Sequence, residues 1–282
     1  MPLPENFDLD DFLRAVLAED LGKGGDVTSN ATIDADAHFK AEMNCRQSIT
    51  VAGLDIAAAF FRALDPEVEI EQPVKDGDRV DHGATLMRLA GNARAMLAAE
   101  RSALNTLQHL SGIATLTSRY VDAIAGTGAT LLDTRKTIPA LRVLEKYAAR
   151  MGGAQNHRMR LDDGVLIKDN HVAVCGGVAE AVRRAKAANT GLQVQVEVDR
   201  LDQIDPALSA GADRLLLDNM DPASLREAVR LVDGRVPLEA SGGVTLETIR
   251  FLAETGVDFI SVGRITQSAP AVDIGLDYAL SR

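Results

Sequence analysis

Residues 131–171 read LLDTRKTIPALRVLEKYAARMGGAQNHRMRLDDGVLIKDNH. The stretch opens with an apolar run followed by the polar residues 133–136, and it closes with a second apolar run, Val165–Ile167, followed by residues 168–171. Short apolar runs bounded by polar residues are typical of buried parallel strands. In parallel α/β folds the functional side chains lie at the carboxyl ends of the strands. The stretch therefore predicts two such strands with a polar pocket at their ends.

The same unit, an apolar strand with a polar end followed by a helix, repeats to about residue 270. Alternating strands and helices indicate parallel βαβ units. Six units rather than eight favour an incomplete parallel α/β barrel of about six strands, preceded by an α+β N-terminal domain of open-sandwich type. The alternative is a flat doubly wound sheet, but no strand leads into a GxGxxG turn of the dinucleotide-binding kind. The predicted strands are Thr130–Leu132, Val165–Ile167, Val194–Val198, 214–217, 237–239 and 259–262.

Three segments are predicted along the chain. Residues 1–110 form the N-terminal α+β domain, which begins with a helix over 8–21 capped by Asp8. Residues 111–270 form the barrel, and a long helical run over 94–120 joins the two domains. Residues 271–282 are predicted to form a C-terminal helix that could return to the N-terminal domain.

Composition excludes several classes of protein. The chain has 282 residues, 46% of them hydrophobic, and a formal net charge of -11, which argues against non-specific binding to nucleic acid. Cys45 and Cys175 are too few and too far apart for a disulfide framework or a CxxC site, which fits a reducing compartment. No signal peptide or membrane-length apolar run is present. We expect a cytoplasmic protein that binds neither nucleic acid nor membrane.

Cations cluster between residues 131 and 171 in a chain that is acidic overall. Arg135, Lys136 and Lys168 directly follow apolar strands, which predicts a pocket for a multiply anionic small molecule. A second group lies at a spacing of four on a predicted helix over 139–151. This group could either face the pocket or form a solvated basic face; it comprises Arg142, Lys146 and Arg150.

The later strand ends carry two other kinds of group. Two carboxylates, Glu197 and Asp218, stand at the third and fourth strands. The last two strands run into glycine-bearing loops whose backbone N–H groups could hold a phosphate, as late strands do in phosphate-binding barrels. These loops are Ser241-Gly242-Gly243 and Val262-Gly263-Arg264.

Several motifs occur in one order, and together they are more specific than any one alone. In this respect the chain resembles the quinolinate phosphoribosyltransferases, the decarboxylating nicotinate-nucleotide pyrophosphorylases of NAD synthesis. Ala140 and Ala154 depart from the pattern, because glycine is expected at both positions. The motifs are AERSALN (99–105), DTRKT (133–137), LEKYA (144–148), NHR (156–158), LIKDNH (166–171), VEVD (196–199), LLLDN (215–219), EASGG (239–243) and ISVG (260–263).

The resemblance implies a Mg²⁺-dependent transfer of phosphoribose from phosphoribosyl pyrophosphate to quinolinate, with loss of CO₂. Lys136, Lys168, Glu197 and Asp218 would be catalytic, and Glu197 and Asp218 would hold the metal and the ribose hydroxyls. The resemblance also implies a homodimer with shared active sites, or a higher oligomer, in which Arg101 of one subunit reaches the quinolinate of the other. Quinolinate would be held by Arg135, His157 and Arg158 near Lys168; the pyrophosphate by Lys136 and Lys168; and the remaining substrate contacts would come from Thr134 and the two glycine-bearing loops.

Alternatives remain at this level. His157 could be a satisfied residue behind the site, and Glu197 and Asp218 could be helix caps. The chain could instead be a lyase that forms a Schiff base through Lys136 or Lys168, or a non-enzymatic phosphosugar-binding protein. Without the resemblance, the residues alone indicate a magnesium-dependent enzyme acting on a phosphorylated, anionic substrate in an α/β barrel.

Overall fold

The structure, a computed structural model, describes residues 7–278. No helix within that range combines the length and the apolar character needed to cross a membrane. The α-helices are α1 (Leu9–Leu21), α2 (Val27–Thr32), α3 (Leu54–Leu64), α4 (Ala93–Ala123), α5 (Arg142–Met151), α6 (Asp169–Cys175), α7 (Val178–Ala187), α8 (Ile204–Ser209), α9 (Pro222–Val232), α10 (Ile249–Ala253) and α11 (Arg264–Gln267). The strands are β1 (His38–Cys45), β2 (Ile49–Thr50), β3 (Glu69–Glu71), β4 (Arg79–Val80), β5 (Thr85–Asn92), β6 (Thr130–Leu132), β7 (Val165–Ile167), β8 (Val194–Val198), β9 (Arg214–Asp218), β10 (Leu238–Ser241), β11 (Phe259–Ser261) and β12 (Ile274–Tyr278).

The chain divides into two compact units that are not contiguous in sequence. Unit 1 comprises the chain up to Leu116, the segment Val143–Gly152 and the chain from Ser268 onward. Unit 2 comprises Thr117–Arg142 and Gly153–Gln267. The predicted boundaries near 110 and 270 are close to two of these divisions. The excursion of α5 into unit 1 has no counterpart in the prediction.

The predicted C-terminal helix is wrong for residues 274–278. These residues form β12, which pairs antiparallel with β1 from Ile274 opposite Cys45 to Tyr278 opposite Ala41. A five-residue segment has little intrinsic preference, so hydrogen bonds to the free edge of β1 decide its conformation. Residues 279–282 of the predicted helix lie outside the described residues.

Unit 1 is built on an antiparallel sheet with the strand order β12-β1-β5-β3. Asp8 caps α1 as predicted, because its side chain accepts a hydrogen bond from the Asp11 backbone N–H. The α3 helix begins at the carboxylate of Asp76, which accepts the backbone N–H groups of Gly53 and Leu54 at 2.8 and 3.0 Å. The hydroxyl of Tyr147 on α5 donates to the same carboxylate at 2.6 Å. These bonds tie α5 to the N-terminal part of the chain.

Unit 2 contains a six-stranded parallel sheet with the order β6-β11-β10-β9-β8-β7. The first two strands in sequence, β6 and β7, therefore lie at opposite edges of the sheet. One cavity is lined by residues that follow both of these edge strands, so the sheet curves and its edges approach each other. This arrangement confirms the incomplete barrel, and the flat doubly wound alternative is wrong.

Alternation along the barrel strands separates packing residues from functional residues. In β8, Val194, Val196 and Val198 are buried, and Glu197 between them lines the cavity. In β9, Leu215 and Leu217 are buried and Asp218 lines the cavity. Since successive side chains of a strand point to opposite faces, one face packs under helices while the other supplies the cavity.

Ala140, one of the two departures from the family pattern, lies in a turn that glycine fits better. Its φ is +67°, and the Leu141 N–H donates to the Ile138 carbonyl at 3.1 Å across the turn. Proline at the second position and a positive φ at the third are typical of a type II turn, where glycine is preferred. Ala154 has no such positive φ. Alanine therefore strains the backbone at position 140 but not at position 154.

We expect Ala140→Gly to raise the free energy of unfolding by about 0.5–1 kcal/mol, because glycine removes the strain of the left-handed conformation. Ala154→Gly is the matched control and should lower it, because the unfolded chain gains entropy and a buried methyl group is lost without any relief of strain. Urea denaturation followed by circular dichroism measures both. Equal destabilisation by the two variants would contradict the turn assignment.

Candidate active site

A cavity of about 660 Å³ opens at the carboxyl ends of the barrel strands. It is lined by residues from or after all six strands, and every predicted site residue except Arg101 contributes to it. The lining residues that we predicted are Thr134, Arg135, Lys136, His157, Arg158, Lys168, Glu197, Asp218, Ser241, Gly242, Gly243, Val262, Gly263 and Arg264. Lining residues that are far apart in sequence are held close together by the fold; next to the cavity, for example, Oγ1 of Thr266 donates to the Lys136 carbonyl across 130 residues of sequence.

Two guanidinium groups form the cationic side of the cavity. Burial and the neighbouring positive charge of Arg135 lower the pKa of Arg158. Nε of Arg135 is buried and has no hydrogen-bond acceptor within residues 7–278. Because buried donors are normally satisfied, Nε of Arg135 is a candidate donor to a bound anion.

The segment that carries His157 and Arg158 is held by Asp133 at the end of β6. Asp133 is fully buried, and its carboxylate accepts the backbone N–H of His157 at 2.8 Å and a side-chain N–H of Asn156. The Gln155 N–H also donates to the Leu131 carbonyl at 2.9 Å, which extends the edge of β6. The prediction that Asp133, as a polar residue at a strand end, faces the pocket is wrong. Asp133 instead fixes the backbone behind the pocket.

Two partly buried carboxylates, Glu197 and Asp218, line the same cavity beside Lys168. Burial raises the pKa of both Glu197 and Asp218, and the charge of Asp218 raises that of Glu197 further. Nζ of Lys168 lies 3.4 Å from Oε2 of Glu197 and acts in the opposite direction. The helix-cap alternative is wrong for Asp218, because Asp221 caps α9. It is also wrong for Glu197, which lies within β8.

Glycine is required at position 242 and favoured at position 263, because neighbouring atoms approach both Cα positions closely. Gly242 has a φ of +97°, and a Cβ there would overlap Oδ1 of Asn219. A Cβ on Gly263 would lie 2.7 Å from Cδ of Lys136. The backbone of these loops therefore faces the cavity directly, as a phosphate-binding loop requires.

The cations of α5 do not line the cavity. Arg142 donates to Oγ1 of Thr137 at 3.0 Å and to the Met159 carbonyl at 3.2 Å. Lys146 is fully buried within unit 1, and Arg150 lies in the same unit. Neither alternative offered for this group is therefore correct, since Lys146 is neither a solvated cation nor a pocket residue.

Comparison with known families identifies the chain. A model of the N-terminal domain of quinolinate phosphoribosyl transferase matches residues 26–111, and a model of the C-terminal domain matches residues 113–277. The chain belongs to the quinolinate phosphoribosyltransferase family. The family resemblance predicted from the motifs is confirmed.

Individual relatives agree over almost the full length. A nicotinate-nucleotide pyrophosphorylase (carboxylating) of Mycobacterium leprae is 44% identical over 275 residues, which cover 95% of this chain and 96% of the relative. A probable enzyme of the same name from Bacillus subtilis is 41% identical over 270 residues, or 95% and 93% of the two chains. The structure of the nicotinate-nucleotide pyrophosphorylase from Francisella tularensis matches with a TM-score of 0.93 and 39% identity, covering 99% of this chain and 100% of that one.

Arg101 is the one predicted site residue that does not line the cavity. It is exposed on α4, within unit 1, whereas all residues lining the cavity belong to unit 2. Glu239 and Ser261 also line the cavity; both are polar residues at strand ends, but neither was given a specific role from the sequence. Their position in the cavity could have been predicted, since both lie in strands whose alternate residues point into the barrel.

Proposed function

We propose that this chain catalyses the transfer of phosphoribose from phosphoribosyl pyrophosphate to quinolinate, followed by decarboxylation to nicotinate mononucleotide. The observation that carries this proposal is one cavity that contains a guanidinium pair, a carboxylate pair and glycine-bearing loops. These three sets match the three demands of the substrates: two pyridine carboxylates, a ribose with a pyrophosphate, and a terminal phosphate.

The quinolinate dianion is placed against Arg135 and Arg158. Its ring nitrogen attacks C1 of the ribose, and the bond from C1 to the pyrophosphate oxygen breaks with its electron pair on the leaving group. Lys136 and Lys168 donate N–H groups to the departing pyrophosphate and offset its charge. Positioning both substrates in one cavity makes the displacement effectively unimolecular.

Decarboxylation needs no further residue to accept electrons. Once alkylated, the ring nitrogen is positively charged, so it stabilises the electron pair left at C2 when the C2–carboxylate bond breaks. CO₂ departs and C2 takes a proton, which gives nicotinate mononucleotide. Because the bound ring itself stabilises the carbanion, the protein's contribution is to hold the carboxylate in place until the bond breaks.

The donor set fits a magnesium ion that arrives with phosphoribosyl pyrophosphate. Within residues 7–278 no group of three or more His, Cys, Asp or Glu could hold a metal. Mg²⁺ keeps several waters and needs only one or two carboxylates beside substrate oxygens, which Glu197 and Asp218 provide. When bound, the ion would neutralise charge on the pyrophosphate.

We expect Glu197→Gln and Asp218→Asn each to weaken Mg²⁺-dependent binding of phosphoribosyl pyrophosphate by roughly 10- to 100-fold, because a charged ligand is lost. Quinolinate affinity should change little. Isothermal titration of each substrate measures both effects, and Asp199→Asn is the control, since Asp199 is exposed and outside the cavity. Equal loss of affinity for both substrates would show that the carboxylates are structural.

The assembly that completes this site is a homodimer, or a higher oligomer built from it, in which Arg101 of one subunit serves the cavity of the other. Its support is the family resemblance together with the exposure of Arg101 outside the cavity of its own unit. A cytoplasmic location likewise stays a prediction.

The reaction itself is tested by incubating the protein with both substrates and Mg²⁺ and measuring the formation of nicotinate mononucleotide. Release of pyrophosphate without that product would contradict the proposal.

A further inference from the structure

A buried polar cluster lies inside the barrel beneath the substrate cavity. At its centre is Glu239 of β10, whose side chain is fully buried. Oε2 of Glu239 accepts a hydrogen bond from Nε2 of Gln195 at 2.8 Å and lies 2.8 Å from Nη2 of Arg214. A buried carboxylate is costly, and here one cation and one amide offset that cost.

The third partner of Glu239 belongs to the cavity wall. Nε2 of His157 lies 3.4 Å from the same Oε2 atom, and the His157 side chain is only 13% exposed. Burial alone would raise the pKa of Glu239, but its contacts with His157 and Arg214 outweigh burial and lower that pKa. Glu239 is therefore an anion that attracts a proton on Nε2.

The other ring nitrogen of His157 is also engaged. Its Nδ1 accepts the backbone N–H of Arg158 at 2.7 Å, so it carries no proton. A ring whose Nδ1 accepts a hydrogen bond can carry a proton only on Nε2, so it is the neutral Nε2–H tautomer. Nδ1 of His157 thus bonds within the protein, while Nε2 faces the Glu239 carboxylate at 3.4 Å.

His157 is held from two sides by buried carboxylates. Asp133 accepts its backbone N–H at 2.8 Å, and Glu239 faces its ring. The ring in turn fixes the next peptide, from which the Arg158 guanidinium extends toward the cavity. A rotation of the ring would release the Arg158 N–H, which is one of two anchors of this residue; the other is the bond from Arg158 Nη1 to the Gly164 carbonyl at 2.9 Å.

We propose that Glu239 is a positioning residue for quinolinate: it fixes His157 as the neutral Nε2–H tautomer and, through the His157–Arg158 peptide, sets the Arg158 guanidinium. In this arrangement His157 is not a cationic ligand of quinolinate, contrary to the expectation from the family resemblance. The inference rests on the proposed function, because it assigns Arg158 to quinolinate.

The tautomer can be observed without any activity. The chain has five histidines, so ¹⁵N-histidine labelling gives a small set of ring signals, and His157→Asn assigns one of them by its loss. We expect that signal to show a neutral ring protonated on Nε2 at pH 7. An imidazolium, or protonation on Nδ1, would overturn the proposal whatever the enzyme does.

Glu239→Gln removes the charge that faces Nε2, so that only the Arg158 N–H still favours this tautomer. Because it also leaves Arg214 without its anion and could fail to fold, the double variant Glu239→Gln/Arg214→Met is made in parallel. In whichever variant folds, we expect a mixed-tautomer His157 signal. We also expect quinolinate affinity roughly tenfold or more weaker, with affinity for phosphoribosyl pyrophosphate changed less than about twofold.

Gln195→Met is the matched control, because it removes another partner of the same Oε2 atom without touching His157. It should lower the melting temperature while leaving the His157 signal and quinolinate affinity near wild type. If it weakens quinolinate as much as the Glu239 variants do, the effect is general packing and the proposal is wrong. A wild-type protein that shows the tautomer but binds no quinolinate would instead refute the proposed function.

Discussion

Arg101→Ala and Lys136→Ala should each lose activity by about a hundredfold or more, and a mixture of the two refolded together should recover roughly a quarter of wild-type activity. Each loss follows from leaving charged substrate groups unpaired. In a mixed two-fold dimer, one site receives Lys136 from one subunit and Arg101 from the other, and the second site receives neither. Random pairing makes about half of the dimers mixed, with one good site of two.

The control mixture is Lys136→Ala with Lys168→Ala. Both residues line the cavity of the same unit, so no mixed dimer contains an intact site and activity should stay absent. Mass spectrometry of the intact dimers establishes that mixed species have formed. Absence of recovery in the first mixture, with mixed dimers present, would place Arg101 outside the partner's site.

Nicotinate should be a poor substrate, with kcat/KM lower than that of quinolinate by about a hundredfold or more. It lacks the C2 carboxylate, so one guanidinium of the pair Arg135 and Arg158 would be left desolvated without an anion. Nicotinate would give the same nucleotide without CO₂, so a single chromatographic assay of nicotinate mononucleotide compares the two. Arg158→Gln should bring the kcat/KM values of quinolinate and nicotinate closer together. Without the Arg158 guanidinium, no charge at this position is left unpaired when nicotinate binds. Comparable rates in the wild-type enzyme would contradict the assignment of the guanidinium pair.

The barrel strands could be predicted from sequence because two local signals coincide there. Each strand is a short apolar run, and each run ends in polar residues such as Lys168 or Asp218. Neither of these patterns predicts that α5 packs within unit 1 rather than within the barrel unit. Its buried Glu145 and Lys146 look like surface residues in an amphipathic pattern, and only contacts with distant residues, such as His109 with Glu145, place them inside.

The candidate site could be predicted as a set of residues but not as a geometry. Strand-end chemistry and the family motifs identify the residues that line the cavity, because parallel strands bring their carboxyl ends together. The direction of each side chain follows from packing partners instead. Asp133 and Lys136 are three residues apart after the same strand, yet one is fully buried behind the pocket and the other faces it.

The most direct test of the central claim uses quinolinate labelled with ¹³C in the C2 carboxylate. With phosphoribosyl pyrophosphate and Mg²⁺ present, labelled CO₂ and pyrophosphate should appear in a one-to-one ratio. Neither should form when phosphoribosyl pyrophosphate is omitted or Lys136 is replaced by Ala. Release of CO₂ without the phosphoribosyl donor, or pyrophosphate without CO₂, would contradict a single site that couples transfer to decarboxylation.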